Sequence, residues 1–195
     1  MANKPLNTDL LDRAIVFAVK AHAGTERRGK GFPYIIHPME AVEIVATITP
    51  DQEILAAAAL HDTVEDTNVT IDDIRREFGD RVEQLVHGET EKEYAELSRE
   101  ESWKLRKEES LTRLRANQDR SVKIMWLSDK LSNARSLLRI FEERGDAMWE
   151  LFHQKDKNVQ EWYYRSVADA LSEFSETPAY REYVLLIDYI FGGQT

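Results

Sequence analysis

Residues Glu53 to Asp66 read EILAAAALHDTVED, and this stretch decides the fold. It holds good helix formers with no glycine or proline, and Asp51 stands where an N-cap belongs. A run of alanines lets neighbouring backbones come close, so we expect this helix to be buried. We expect it to continue through His61 and Asp62 to Asp66. On such a helix, residues four apart lie one above the other, which pairs His61 with Glu65 and Asp62 with Asp66 on adjoining parts of one face. A charge set in an apolar segment needs a strong partner. A capped or salt-bridged pair at a helix end would supply one; three carboxylates crowded around an imidazole instead favour a divalent cation among them.

Upstream, Thr8 is placed to cap a helix whose apolar residues Leu11, Ile15, Ala18 and Val19 recur at helical spacing and which frays near Gly24. A polar loop, GTERRGKGFPY, runs from Gly24 to Tyr34, and Pro38 opens a helix to about Ile48. Downstream, Thr70 and Asp73 form a capping-box pattern ahead of IDDIRREF, with Gly79 as its stop, and a helix spans about Asp80 to His87. Ser98 and Glu101 repeat the capping pattern before a helix through Trp103 and Leu114. A long helix follows from about Ser121 to Glu143, stopped by Gly145; then come a short helix around Trp149, one from Val159 to Phe174, and a last one after Pro178. With no convincing period-2 strand, repeat or linker, we expect an all-α protein and a single domain over residues 1–195.

Eight glycines and five prolines in 195 residues are too few for a sandwich that turns every ten residues. The absence of cysteine excludes disulfides, a thiol nucleophile and Cys-ligated zinc. No segment approaches the ~20 apolar residues of a membrane span, and the N-terminus has no signal-peptide pattern, so we expect a cytoplasmic protein. A net charge of -10 disfavours nucleic acid and anionic membranes as partners. A small anionic substrate remains compatible through a local basic cluster, and so does a homo-oligomer.

Two further residues carry chemistry. His37 by itself, near a helix start, reads more readily as a structural histidine than as a ligand. Asp129 sits on the long helix between Ile124, Leu127, Leu131 and Leu137, with Asn133 one turn on; it is either a ligand or the partner of Lys130 or Arg135. Glu89 to Glu109 reads as a solvated loop and helix with many i,i+4 charge pairs, or as a flap bringing Trp103, Lys104 and Lys107 over a substrate. Tyr163 and Tyr164 are placed either to stack on a base or to fill the core. His22, His87 and His153 read as structural or surface residues.

The order H…HD…D resembles the HD superfamily of metal phosphohydrolases. The strings RGKGFPYIIHP, ALHDTVEDT and LSDKLSNARSL resemble, more narrowly, the hydrolase domain of RelA/SpoT-type proteins and the small stand-alone alarmone hydrolases. The resemblance runs from about Leu10 to Leu138 and implies an HD-type helical bundle. By it, His37, His61, Asp62 and Asp129 would bind a divalent ion, typically Mn²⁺, and Glu65 and Asp66 would orient or deprotonate the attacking water. Arg28, Lys130 and Asn133 would meet the substrate, with Lys104, Arg106 or Lys107 as more remote candidates. Two His and two carboxylates, with positions left for water and phosphate oxygens, suit a six-coordinate ion better than closed tetrahedral zinc.

The activity implied is removal of the 3′-diphosphate of ppGpp and pppGpp, the alarmones of the stringent response. The alternatives are an HD phosphohydrolase acting on another nucleotide or a dinucleotide cofactor, and a non-catalytic nucleotide sensor. Two positions depart from the family pattern: Gly29 replaces the lysine after Arg28, with Lys30 beside it, and Trp126 replaces a lysine three residues before Asp129, with Lys123 the nearest upstream lysine.

Overall fold

A computed structural model describes residues 6–27, 31–91, 94 and 96–192. Among the described residues there are helices and turns but no strand; one antiparallel bridge, Glu26 to Pro33, closes the loop after the first helix. Contacts gather the chain into two compact units, residues 1–90 and 91–195.

The first unit is built around the alanine helix. Helix α3 (Gln52–Leu60) is buried at every residue from Ile54 to Leu60, as a helix apolar on all sides must be. It packs against α1 (Asp9–Ala21), α2 (Ile36–Ala46) and α6 (Asp80–Glu89). The alanines make this possible: Ala56 to Ala59 present no bulk to any of the three neighbours, and Ala14 and Ala18 of α1 are equally enclosed. Asp51 caps α3 by accepting from the Glu53 N–H at 2.9 Å. The Thr70–Asp73 capping box starts α5 (Ile71–Phe78), and Gly79, at φ 89°, makes the left-handed turn into α6.

Several expected boundaries move. The Thr8 hydroxyl donates to Asp12 Oδ2 and caps no backbone group, while Asn7 Oδ1 accepts the Asp9 N–H. Val19, expected inside, is exposed, because the buried stripe of α1 runs through Ala14 and Ala18. α2 begins at Ile36, so Pro38 lies within its first turn rather than opening it, and the helix ends at Ala46. The most consequential change is that α3 stops at Leu60. His61 and Asp62 form a turn, and Thr63–Asp66 is a separate helix, α4. Side chains compete for the backbone there: the Thr63 hydroxyl donates to the Leu60 carbonyl at 2.6 Å, and His61 Nδ1 bonds the Ala58 carbonyl at 2.8 Å.

In the second unit, α8 (Arg120–Arg144) packs against α10 (Pro178–Phe191) and a 3₁₀ segment (Gly145–Leu151), while α9 (Lys157–Ala170) packs on α7 (Trp103–Ala116) and α10. The caps are local and legible: Asp119 for α8, Asp156 for α9, and Thr177 with Pro178 at the first position of α10. The Ser98–Glu101 box forms, but a turn separates it from α7, which starts at Trp103. The helix expected around Trp149 is the 3₁₀ segment, and α9 ends at Ala170 before a short 3₁₀ turn (Ser172–Phe174). Trp126, Phe174 and Tyr183 are among the largest fully buried side chains.

Candidate metal centre

In the first unit, three ligand atoms converge. His37 enters from the first turn of α2, and His61 and Asp62 from the turn between α3 and α4. His61 Nε2 lies 3.2 Å from His37 Nε2. Asp62 Oδ2 lies 3.3 Å from His37 Nε2 and 3.2 Å from His61 Nε2. Both imidazoles are buried, and the Asp62 side chain is 17% exposed. Metal–ligand bonds of about 2.1 Å put neighbouring ligand atoms roughly 3.0–3.4 Å apart, so this nearly equilateral triangle has the dimensions of one face of a coordination shell.

The protonation pattern suits the same role. A carbonyl only accepts, so the His61–Ala58 contact places a proton on Nδ1 and aims Nε2 into the triangle. Burial pushes the Asp62 carboxyl up, but the charge of His61 and hydrogen bonds from His37 and His61 outweigh it and hold Asp62 well below the usual carboxylate range. Two imidazoles and one carboxylate form a donor set for a divalent ion of intermediate hardness.

Breaking α3 at His61 turns Asp62 toward both imidazoles. The expected face of one continuous helix is therefore replaced by a turn, although the Asp66 N–H still donates to the Asp62 carbonyl at 3.0 Å. Glu65 is half-buried on α4 and Asp66 is exposed one position on. Arg28, Gly29 and Lys30 lie outside the described residues.

Tyr34 and His22 are additions that sequence reasoning missed. The Tyr34 hydroxyl donates to Asp62 Oδ2 at 2.6 Å. The His22 ring stacks on the Tyr34 ring with centroids 4.8 Å apart, and it is buried, with no hydrogen-bond partner at either nitrogen among the described residues. The signal that could have found Tyr34 is its place three residues before His37 in the same motif string. His22 had none, and His87 and His153 are exposed, as a surface reading requires.

In the second unit, Asp129 sits mid-way along α8 and is buried. The Asn133 amide donates to Asp129 Oδ1 at 2.6 Å, and the Lys130 ammonium donates to Oδ2. Arg135 instead forms a bidentate pair with Glu182 on α10, at 2.6 and 2.8 Å. Trp126 is a core residue, and the Lys130 amine lies 4.8 Å over its ring. Trp126 thus supports Lys130, one turn on, through a cation–π contact.

Part of the Glu89 to Glu109 segment is buried. Trp103 is 7% exposed and meets the Tyr163 ring edge-on. Lys107 donates to Glu91 at 2.5 Å, and Arg106 bonds the other Glu91 oxygen. Burial pushes the Lys107 amine below its usual range although Glu91 opposes the change. Lys104, by contrast, is exposed beside Glu108. Tyr163 and Tyr164 pack on each other and on Trp103, Tyr183 and Phe191, which supports the core reading of both.

A family model described as HD domain matches residues 14–153. The guanosine-3′,5′-bis(diphosphate) 3′-pyrophosphohydrolase of Aquifex aeolicus (strain VF5) is 35% identical over 144 residues, covering 74% of this chain and 20% of that protein. The chain therefore spans about one fifth of the length of that curated relative. The crystal structure of lmo0812 from Listeria monocytogenes EGD-e is similar with a TM-score of 0.70 and 31% identity, over 84% of this chain and 98% of that one. A metazoan ortholog of SpoT that hydrolyzes ppGpp is similar with a TM-score of 0.71 over 97% of both chains; at 23% identity it speaks for the fold.

Proposed function

Because this chain belongs to the HD-domain family, we propose that it is a metal-dependent hydrolase that converts ppGpp or pppGpp and water to the 5′-nucleotide and pyrophosphate. The observation that carries this reading is the triangle of His37 Nε2, His61 Nε2 and Asp62 Oδ2, with sides of 3.2 to 3.3 Å. The identity to the Aquifex pyrophosphohydrolase supports the choice of substrate.

In this reading His37, His61, Asp62 and Asp129 hold one divalent ion, Mn²⁺, following the H…HD…D order of the family. The matched residues 14–153 run through both compact units, which supports treating the chain as one HD domain. The ion supplies Lewis acidity, lowering the pKa of water and offsetting phosphate charge. Glu65 and Asp66, on α4 just past the ligands, orient the water and take its proton. The water oxygen bonds to the phosphorus on ribose O3′ as the P–O3′ bond breaks, and the proton balance closes on O3′. Asn133 and Lys130 orient the Asp129 carboxylate, and the resemblance assigns Lys130 and Arg28 to offsetting the phosphate charge. No described helix is long and apolar enough to cross a membrane. We place the activity in the cytoplasm, on a small anionic nucleotide, without nucleic acid as partner.

The buried Trp126, at a position where the family resemblance implies lysine, favours a second reading: hydrolysis of another nucleotide or a dinucleotide cofactor by the same centre. One experiment separates the two. Mn²⁺-loaded protein is incubated with ppGpp, pppGpp, nucleoside mono- and triphosphates and dinucleotide cofactors, and pyrophosphate and phosphate are measured. Pyrophosphate from ppGpp supports the proposal. Cleavage of another nucleotide with none of ppGpp sinks it, and binding without any turnover identifies a sensor.

A further inference from the structure

We propose that Tyr34 is a positioning residue for the metal centre, its hydroxyl selecting which face of the Asp62 carboxylate meets the two imidazoles. This rests on the reading of His37, His61 and Asp62 as ligands. Asp62 Oδ2 faces both Nε2 atoms and also accepts the Tyr34 O–H at 2.6 Å. The oxygen that meets both histidines is thus also held by a hydroxyl donor. A carboxylate at a rim, 17% exposed, is otherwise free to turn toward water and needs such a tether.

The tether is itself rigid. The Tyr34 N–H donates to the Thr25 carbonyl at 2.9 Å, and the Tyr34 carbonyl accepts from the His37 N–H at 3.0 Å. One backbone stretch therefore carries both a ligand and the group that aims another ligand. The Tyr34 ring is walled by His22 on one face, at 4.8 Å and 27°, and by the edge of His37, at 6.0 Å and 84°. The Arg27 guanidinium lies 5.2 Å over it. A carboxylate oxygen only accepts, so the Tyr34 hydroxyl is the donor in its bond to Asp62.

His22 explains itself in the same frame. Among the described residues neither nitrogen of the buried His22 ring has a hydrogen-bond partner, so its contribution lies in the flat ring against Tyr34. Groups that orient metal ligands through hydrogen bonds change affinity about 10- to 100-fold when removed.

The test uses the full chain and Mn²⁺ alone, with free ion counted by electron paramagnetic resonance. Tyr34→Phe keeps the ring and removes the hydroxyl; we expect the Kd for Mn²⁺ to rise about 10- to 100-fold. Excess Mn²⁺ should refill the site, and the metal-free melting temperature should stay unchanged. His22→Phe keeps the wall and should bind Mn²⁺ like the wild type, whereas His22→Ala should weaken binding by an intermediate factor. A Kd for Tyr34→Phe within threefold of wild type overturns the proposal. So does a metal-free melting temperature that falls along with affinity, since that marks a structural role. If the wild type does not bind Mn²⁺, the ligand reading falls and this inference with it. If the wild type binds Mn²⁺ but cleaves no ppGpp, only the substrate assignment falls.

Discussion

Glu91→Gln should destabilise this protein by about 3 kcal/mol at neutral pH, and the deficit should shrink as pH rises. Glu91 accepts from Lys107 at 2.5 Å and from Arg106 through its other oxygen. All three side chains are 13 to 16% exposed, so water cannot replace the lost partner. Gln keeps the size and one acceptor but removes two charge-assisted bonds, each about 1.5–3 kcal/mol net. It also leaves buried cations uncompensated, a change that typically costs about 3–5 kcal/mol; the acceptor kept by the amide and the residual exposure place the expectation at the low end.

The pH dependence follows from Lys107. Burial already lowers its amine, and the substitution removes the carboxylate that opposes this, so its folded-state pKa falls further below the unfolded value of about 10.4. Between those two values the unfolded chain binds more protons than the folded one, so stability rises with pH through that window. Urea unfolding followed by tryptophan fluorescence at pH 7 and pH 9 reads both effects. A Glu91→Gln protein within 1 kcal/mol of wild type, or one whose deficit grows at pH 9, would refute the reasoning. Lys107→Met combined with Glu91→Gln should recover part of the loss, because it removes the charge left unpaired.

Three further outcomes are expected. Asp62→Ala and Asp129→Ala should each lose Mn²⁺ content and turnover together, read by metal analysis and pyrophosphate release; retained metal with lost turnover would remove that residue from the ligand set. Glu65→Ala should keep metal and fold but lose a factor on the order of 10² in kcat, as for a missing general base, and full turnover would reassign the proton acceptor. Ala57→Leu forces three methylene-equivalents into a site with no exposed surface and should cost about 1–3 kcal/mol by overpacking, measured by urea midpoint.

What was legible in the sequence was local. Capping residues act within one turn, so Asp51, Thr70 with Asp73, and Gly79 mark their boundaries from types and spacing alone. The alanine run likewise announced a helix enclosed on all sides. The break after Leu60 was less legible, because the side-chain bonds of Thr63 and His61 to helix carbonyls compete with a helix pattern that gives no warning of them.

The residue types and order of the candidate centre were determined by the sequence itself, since His37, the His61–Asp62 pair and Asp129 carry their chemistry wherever the chain puts them. Tertiary structure alone decided that His37 and His61, 24 positions apart, bring their Nε2 atoms to 3.2 Å, because no local rule links two helices across a loop. It also decided that Tyr34 holds Asp62 and that Lys107 is buried on Glu91 rather than solvated. Trp126 lies in the core for the same reason: its burial depends on which helices α8 meets, and only packing settles that.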